Sequence, residues 1–188
     1  TRGGGLIVRH AHSRDEIPAL AAALGVDAVF ANHDYEPAAI ARDAAVAQGL
    51  ADRGIAFVTS KDQVIFERDE VLSLAGKPFS VFTPYRNAWL KALTPTQVRA
   101  HPVQRHAAVL ARPPRALDTG LPALGTLGLA PTNLAILGVR TGMSGGAALF
   151  ADFKHRIDDY ATARDFPAVK GPSYLSVPLR FGPVSVRE

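Results

Sequence analysis

Short apolar segments alternate with helix-like segments over the first third of the chain, and this alternation constrains the fold more than any other feature. The apolar segments 6–10, 26–32 and 55–59 have the length of buried strands. They are separated by residues 13–25 and 36–54, which have the length and composition of helices. A strand, a helix and a second strand in this order form a right-handed βαβ unit with parallel strands. The sequence therefore predicts an α/β fold in which three strands, with flanking helices, form part of a parallel sheet covered on both faces.

Residues at the ends of the two predicted helices support this assignment. Ser13 is the predicted N-cap of the first helix, Glu16 the reciprocal residue of a capping box, and Gly25 the residue that ends the helix. Pro37 lies in the first turn of the second helix, where a missing N–H is tolerated, and Gly54 marks its end.

The alternation stops after residue 60. A loop with Gly76 and Pro78 precedes a helix predicted after Pro84, which carries the single tryptophan, Trp89. Residues 94–141 are rich in proline, glycine and alanine and have no long amphipathic period, which predicts a linker that wraps a surface.

Residues 142–166 predict a glycine-rich entry followed by a helix. Phe150, Phe153 and Ile157 have the spacing i, i+3, i+7, which predicts one buried face. The predicted organisation is an α/β domain over 1–93, the linker over 94–141, and the first helices of an all-α domain over 142–188.

Composition excludes several classes of protein. The chain of 188 residues has no cysteine, which excludes disulfide bonds, thiolate catalysis and Cys-based zinc sites. No apolar run reaches the ~18–20 residues that span a bilayer, and no export signal opens the sequence. We therefore expect a cytoplasmic protein with no membrane partner. The net charge of +4 favours nucleic acid only slightly, because many enzymes are as basic.

Residues 142–146, GMSGG, match the G-x-S-x-G pattern of a hydrolase nucleophile elbow. The histidine that follows, His155, lies on the same predicted helix as Ser144. At a rise of ~1.5 Å per residue, the two side chains would be roughly 16 Å apart. No triad can close, so the glycines and Ser144 are interpreted as a helix cap.

Histidine and acidic residues at the ends of the predicted strands are further candidate ligands. His10 and His12 would share one face of a strand, but no carboxylate pair or cysteine accompanies them, and we predict no metal site. His33, Asp34 and Glu36 follow the second strand, where open α/β sheets bind ligands, although the two acidic residues equally fit helix caps. No GxGxxG pattern is present, so a dinucleotide fingerprint is absent.

Tyr160, Arg164, Ser173 and Ser176 cluster at a predicted helix end and in the loop beyond it. Hydroxyl groups and free backbone N–H groups can hold a phosphate, and Arg164 follows Tyr160 by one helical turn on the same face. A capped turn between two helices is the simpler interpretation of the spacing alone.

Three blocks occur in a characteristic order: YEPAAIARD, KPFSVFTPYRNAWLKAL and YATARDFPAVKGPSYLSVPLRFG. In this order they resemble the DNA photolyase/cryptochrome family, and class I cyclobutane pyrimidine dimer photolyases most closely. The resemblance implies an α/β antenna domain, a linker and a helical domain that binds FAD. It also implies light-driven electron transfer from reduced FAD that splits pyrimidine dimers in DNA, with the damaged dinucleotide flipped out of the duplex.

The resemblance also assigns residues, although it identifies no catalytic residue in this chain. It implies that FAD is contacted by Tyr160, Pro172, Ser173, Tyr174, Leu175 and Ser176. Arg164 corresponds to an arginine that contacts DNA beside the flavin pocket. The family usually has threonine at the position of Pro172, and proline offers neither an N–H nor a hydroxyl.

The antenna and the sheet differ from the family pattern. Folate-binding members carry an Asn-Glu pair where this chain has Ala38 and Ala39, so a deazaflavin, another chromophore or no antenna remain as alternatives. The family strand order is 3-2-1-4-5, and the first predicted strand corresponds to strand 3. Strands 6–10 and 26–32 would then either pair directly or leave backbone groups exposed, which favours self-association. We also expect this segment alone not to hold FAD stoichiometrically.

Two other functions are compatible with the sequence. The first is a cryptochrome-type blue-light receptor with the same fold and no repair activity. The second is a stand-alone nucleotide-binding α/β domain, which would leave residues 142–188 unexplained.

Overall fold

The computed structural model describes residues 4–117, 120–134 and 136–187. These residues form two compact units. The first comprises the described residues through Asp62 and those of His101–Pro131, and the second comprises Gln63–Ala100 and the described residues from Thr132 onward. The predicted domain bounds 1–93, 94–141 and 142–188 stay a prediction.

The first unit contains two helices that alternate with two strands. These elements are α1 (Ser13–Leu24), β1 (Ala28–Asn32), α2 (Pro37–Ala51) and β2 (Ala56–Ser60). The two strands are parallel, and their register runs from Ala28 opposite Ala56 to Asn32 opposite Ser60. The α/β fold with parallel strands is confirmed, and the observed strands lie within one or two residues of the predicted ones.

The strand predicted over residues 6–10 is wrong. These residues have no strand conformation, and the sheet in the described part of the chain consists of β1 and β2. A strand is stabilised by the ladder of hydrogen bonds to a neighbour. In the described residues, β1 pairs with β2 and residues 6–10 have no such ladder.

The core of the first unit lies on one face of the sheet. Leu50 is fully buried, and Ala21, Val46 and Ile55 are packed around it. The sheet contributes Val29 and Phe57 to this cluster.

The opposite face of the sheet is exposed. Phe30 and Val58 are neighbours in the register, and 76% and 43% of their respective surfaces are exposed. The prediction of a sheet covered on both faces is therefore wrong for the described residues.

The helix ends agree with the sequence in part. Gly25 ends α1 in the left-handed conformation at φ 62°, and Pro37 is the first residue of α2, both as predicted. The predicted capping box of α1 is wrong, because the N-cap is His12 and no side chain caps the helix. Glu16 instead forms an ion pair with Arg9 at 3.3 Å.

The second unit is built from helices and loops. Its helices are α3 (Phe82–Ala92), α4 (Gly142–Lys154), α5 (Tyr160–Ala163) and α6 (Ser176–Phe181). On α3, Trp89 packs edge-on against Phe66, with ring centroids 5.5 Å apart. The helix begins two residues before Pro84, because a proline in the first turn removes no helical hydrogen bond.

Arg187 joins segments of the second unit that are far apart in sequence. Its Nη2 donates to the carbonyl oxygen of Val64 at 2.8 Å, and its Nε donates to the carbonyl oxygen of Gln97 at 3.2 Å. The C-terminal part of the chain is thereby held against residues 63–100.

The helix predicted within 142–166 is interrupted. Helix α4 ends at Lys154, and a 3-10 turn at Ile157–Asp159 precedes α5, because Arg156 leaves the helical conformation with φ −135° and ψ 10°. Phe150 and Ile157 are about half exposed, so the predicted buried face is wrong. Ser144 does not cap α4, since the N-cap is Thr141.

The described residues of 94–141 contain neither α-helix nor strand, as predicted for this segment. They form 3-10 turns at Val103–Val109, Arg115–Leu117 and Leu124–Leu127. None of the described helices has the length and apolarity to cross a bilayer.

Candidate functional site

The side chain of Arg156 organises the loop that carries most of the predicted flavin contacts. Its Nη1 donates to the carbonyl oxygens of Lys170 and Gly171, the latter at 2.9 Å, and its Nη2 donates to that of Pro172 at 2.9 Å. Only 18% of the side chain is exposed. One guanidinium therefore fixes three consecutive peptide carbonyls at the start of the segment 172–176.

Asp152 holds this guanidinium in place. Its Oδ2 accepts hydrogen bonds from Nε of Arg156 at 3.1 Å and from Nη2 at 3.0 Å. The Lys170 ammonium lies 3.0 Å from the same oxygen. The hydrogen bonds from Lys170 and Arg156 lower the pKa of the Asp152 carboxyl below its ordinary value. Two cations thus share one carboxylate, which is a stronger arrangement than an isolated surface pair.

The loop also approaches the end of α5 closely. A Cβ on Gly171 would lie 2.6 Å from the backbone carbonyl of Ala163 and 2.7 Å from the backbone nitrogen of Arg164. Only glycine allows this approach, because the backbone atoms that it meets cannot move aside as a flexible side chain can. The short segment from Lys170 to Pro172 is therefore fixed both by Arg156 and by its contact with α5.

Aromatic rings lie close to the guanidinium of Arg156. The Arg156 guanidinium lies 5.5 Å from the ring centroid of Phe153 and 6.0 Å from that of Tyr174. Phe153 packs edge-on against Tyr160, with centroids 5.9 Å apart. The guanidinium of Arg164 lies 5.7 Å from the Tyr160 ring. The structure therefore brings Tyr160 and Arg164 together on one side, beside the elements that hold the loop.

The remaining predicted residues lie along the loop and at the start of α6. Ser173 and Leu175 are half-buried, and Pro172, Tyr174 and Ser176 are exposed. The Ser173 hydroxyl oxygen accepts the backbone N–H of Leu175 at 3.4 Å. Tyr174 has φ 58°, a left-handed conformation that is uncommon for a residue other than glycine. This conformation reverses the chain between Ser173 and α6.

Sequence reasoning missed Arg156 and Asp152. The available signal was the spacing of Asp152, Arg156 and Tyr160, which follow one another at intervals of four residues. Such spacing places side chains on one side of a helix, where acidic and basic residues pair. The backbone carbonyls that Arg156 binds leave no such signal, because any residue type can supply them.

Polar residues also meet at the carboxyl ends of β1 and β2. Asn32 Nδ2 donates to Asp62 Oδ2 at 3.0 Å, and a ring nitrogen of His33 lies 3.0 Å from the Thr59 hydroxyl oxygen. The Asp34 side chain accepts the N–H of Tyr35 at 2.7 Å, which forms a turn before α2. Glu36 is the N-cap position of α2, but its side chain makes no capping hydrogen bond.

A groove of about 490 Å³ is lined by the first turn of α1 and the N-terminal half of α2. Its walls are His12, Ser13, Arg14, Ala38, Ala41, Arg42 and Ala45. Ala38 faces this groove, whereas Ala39 is buried. No three potential ligands among histidine and acidic side chains come together as a metal site in the described residues.

Comparison with known proteins identifies the family. A family profile described as DNA photolyase matches residues 1–107. The chain belongs to the DNA photolyase family. It is 34% identical to a deoxyribodipyrimidine photo-lyase of Synechococcus sp. over 99% of this chain and 39% of that relative.

A solved structure and a second relative extend this result. The crystal structure of a class III photolyase from Agrobacterium tumefaciens matches 97% of this chain and 38% of its own, with a TM-score of 0.78 and 26% identity. Cryptochrome-2 of Arabidopsis thaliana is 29% identical over 87% of this chain and 27% of that relative. The chain thus spans about a third to two fifths of the length of the photolyases it matches. Its assignment to class I stays a prediction.

Replacing Arg156 with alanine is expected to loosen the loop 170–176. The change leaves the carbonyl oxygens and Asp152 without their donor, and hydrogen bonds to a charged group contribute about 1.5–3 kcal/mol each. We expect the second unit to lose about 2–3 kcal/mol of its free energy of unfolding, measured in urea, and the amides of the loop to exchange faster. Arg164→Ala is the control, because Arg164 is exposed and donates to none of these carbonyls: in the described residues it pairs with Asp165 at 3.6 Å and lies on the Tyr160 ring. Equal exchange rates in both variants would contradict the role of Arg156.

The lowered pKa of Asp152 predicts a pH dependence of stability. A carboxyl with a lower pKa in the folded state stabilises that state above the ordinary pKa, and the contribution disappears as the pH falls through the folded value. Asp152→Asn should therefore be less stable than the unmodified chain near neutral pH and equal to it well below about pH 4. Urea unfolding across this range tests the prediction, with Asp165→Asn as the control. A stability difference that does not change with pH would count against it.

Proposed function

We propose that this chain functions in light-driven DNA repair, as part of a deoxyribodipyrimidine photo-lyase that splits cyclobutane pyrimidine dimers by electron transfer from reduced FAD. Such an enzyme is a carbon–carbon lyase. The observation that carries the proposal is the similarity to a photo-lyase over 99% of the chain, which includes the loop fixed by Arg156. Because the chain spans only part of the length of these relatives, activity and substrate are inferred from the family.

The residues present fit the diphosphate of FAD. In the described residues, the backbone N–H groups of Ser173 and Tyr174 have no acceptor, and the loop is open to solvent. The hydroxyls of Ser173 and Ser176 supply further donors on the same short segment. Pro172 supplies none, since its nitrogen carries no hydrogen and its carbonyl oxygen accepts from Arg156. Four donors over four residues suit an anion with several acceptor oxygens.

Each residue of the site then has a separate role. Bound FAD would supply the electron that opens the dimer. Ser173, Tyr174 and Ser176 would bind the diphosphate, while Leu175 and Tyr160 would supply apolar surface beside it. Arg164, whose guanidinium lies on the Tyr160 ring, would position a phosphate of the damaged strand.

The groove between α1 and α2 is the proposed place for an antenna chromophore, if one is bound. Three alanines line one wall, and Arg14 and Arg42 lie at its edge. Ala38 and Ala39 cannot donate or accept side-chain hydrogen bonds, so the polar anchor of a folate antenna is missing. The groove therefore favours a deazaflavin, another chromophore or no antenna over a folate held by a glutamate.

A cryptochrome-type light receptor without repair activity is the second candidate. The similarity to cryptochrome-2 of Arabidopsis thaliana favours it. That similarity is lower than the similarity to the photo-lyases, and the flavin contacts proposed above are common to both functions.

Flavin binding and dimer splitting test the proposal together. For the protein expressed from its own gene, we expect blue light to split dimers in an oligonucleotide when reduced FAD is supplied. The double variant Ser173→Ala/Ser176→Ala should bind FAD about 10–100-fold more weakly, since each lost hydrogen bond contributes about 1 kcal/mol or more. Ser80→Ala, at an exposed serine outside the site, is the control.

The outcomes separate the two candidate functions. Flavin binding with no splitting of dimers favours the receptor. Two results overturn the assignment of residues 172–176. The first is absence of flavin binding at millimolar FAD, and the second is an equal loss of FAD affinity in the double variant and in the Ser80→Ala control.

Self-association through the sheet is proposed for the first unit. Phe30 and Val58 form an exposed apolar pair, and in the described residues β1 and β2 each have an edge without a neighbouring strand. Burial of a phenylalanine side chain contributes about 1.5–3 kcal/mol, so Phe30→Ser should weaken association at least tenfold. Sedimentation velocity over a range of concentrations tests this, with Phe82→Ser as the control at an equally exposed position outside the sheet. A chain that stays monomeric at all concentrations refutes the proposal.

A further inference from the structure

The positive charge of this chain is concentrated in one stretch. Residues 71–117 contain seven Lys and Arg side chains and no Asp or Glu. The rest of the chain contains fourteen basic and seventeen acidic residues. The excess of positive charge therefore lies entirely within this stretch, although no two of its basic residues are adjacent in sequence.

The last part of the stretch, residues 101–117, is attached to the first unit by close contacts. Leu110 packs on Gly4, where an added Cβ would lie 3.0 Å from Leu110 Cβ. The ring of Pro113 occupies the space that a Cβ on Gly5 would need. Because Gly4 and Gly5 have no side chain, the segment 101–117 can lie directly against their backbone. Its course is therefore set by the fold, although it consists of 3-10 turns and irregular chain.

Three arginines project from this segment. Arg105, Arg112 and Arg115 are exposed, and no carboxylate of the described residues is within ion-pair distance of them. Other arginines of the unit are compensated by neighbours: Arg14 pairs with Asp15 at 3.3 Å, and Arg42 pairs with Asp43 at 2.8 Å.

The rest of the unit would repel a polyanion. Residues 1–62 contain six basic and eight acidic side chains. A polyanion that approaches this unit is therefore attracted to residues 101–117 and not to the body on which they lie.

We propose that Arg105, Arg112 and Arg115 form a contact surface for the phosphate backbone of duplex DNA, which acts independently of base sequence and damage. The proposal rests on the proposed function for its choice of polyanion. Guanidinium groups bind phosphate oxygens in a bidentate manner, and such contacts position a protein on DNA without reading its bases.

The composition of the segment favours duplex DNA over other partners. Residues 101–117 contain no phenylalanine, tyrosine or tryptophan. Binding of single strands relies on aromatic rings on which bases stack, and hot spots of protein interfaces are enriched in tryptophan and tyrosine as well as arginine. Charge without these three large aromatic residue types suits a partner whose phosphates alone are contacted.

The dependence of DNA binding on salt tests this surface. Each phosphate contact adds about 0.9 to the slope of log affinity against log salt concentration. For an undamaged duplex, the affinity of the variant Arg105→Gln/Arg112→Gln/Arg115→Gln should depend less on salt. Its slope should be smaller in magnitude than that of the unmodified protein by about 2–3. Between 50 and 200 mM salt, the affinity of the unmodified protein should then fall about 40-fold more than that of the variant.

Two matched variants distinguish the effect of this surface on DNA binding from the effect of the net charge of the protein. Arg53→Gln/Arg68→Gln/Lys154→Gln removes the same three charges at exposed sites, each with an acidic residue within two positions in sequence, and should leave the slope unchanged. Replacing the three arginines with lysine should retain most of the slope, since the charge is kept. Far-ultraviolet circular dichroism of all variants should match that of the unmodified protein.

Several results would overturn the proposal. The first is an unchanged slope in the Arg105→Gln/Arg112→Gln/Arg115→Gln variant. The second is an equal decrease of the slope in the variant that removes three charges elsewhere. The third is a decrease of the slope that is seen with single-stranded DNA and not with duplex DNA. An unchanged slope in a protein that splits dimers refutes only the surface. A reduced slope in a protein that neither binds flavin nor splits dimers refutes only the proposed function.

Discussion

The guanidinium of Arg156 determines the conformation of the segment on which the proposed flavin contacts lie. It donates to the carbonyl oxygens of three consecutive residues, Lys170 to Pro172, and is itself held by two hydrogen bonds to Asp152. A single rigid group with five donors can make these contacts at once, whereas a lysine ammonium has only three donors and no fixed geometry. The N–H groups of Ser173 and Tyr174, which follow these carbonyls, have no acceptor in the described residues and are available to a ligand.

The break between α4 and α5 is explained by the same contacts of Arg156. A continuous helix over 142–166 would satisfy the local hydrogen bonds of the backbone. Arg156 leaves the helical conformation, and its side chain instead satisfies backbone carbonyls about fifteen residues away. Propensity favours a long helix here, and a tertiary contact prevails over it. Functional sites are places where such conflicts between local and tertiary preferences are found.

Particular residues show how far the sequence could predict the site. Tyr160, Arg164 and Ser173 were identified because their types and spacing match a family block, and the structure places Tyr160 against Arg164. Arg156 escaped because its partners are peptide carbonyls, which every residue carries. The charge of residues 101–117 was similarly overlooked, since no two of its arginines are adjacent and the pattern depends on the absence of acidic residues over a long stretch.

The sequence by itself determined the α/β alternation, the parallel strands, the left-handed end of α1 at Gly25, and the family through its long ordered blocks. These properties depend on neighbours in the chain: periodicity, the conformational range of glycine and proline, and residue order. Only the tertiary structure decided that residues 6–10 form no strand, that one face of the sheet is exposed, and that Arg156 fixes the loop. Those outcomes depend on which distant groups meet, since a strand needs a partner and a guanidinium needs acceptors, and no local pattern specifies either.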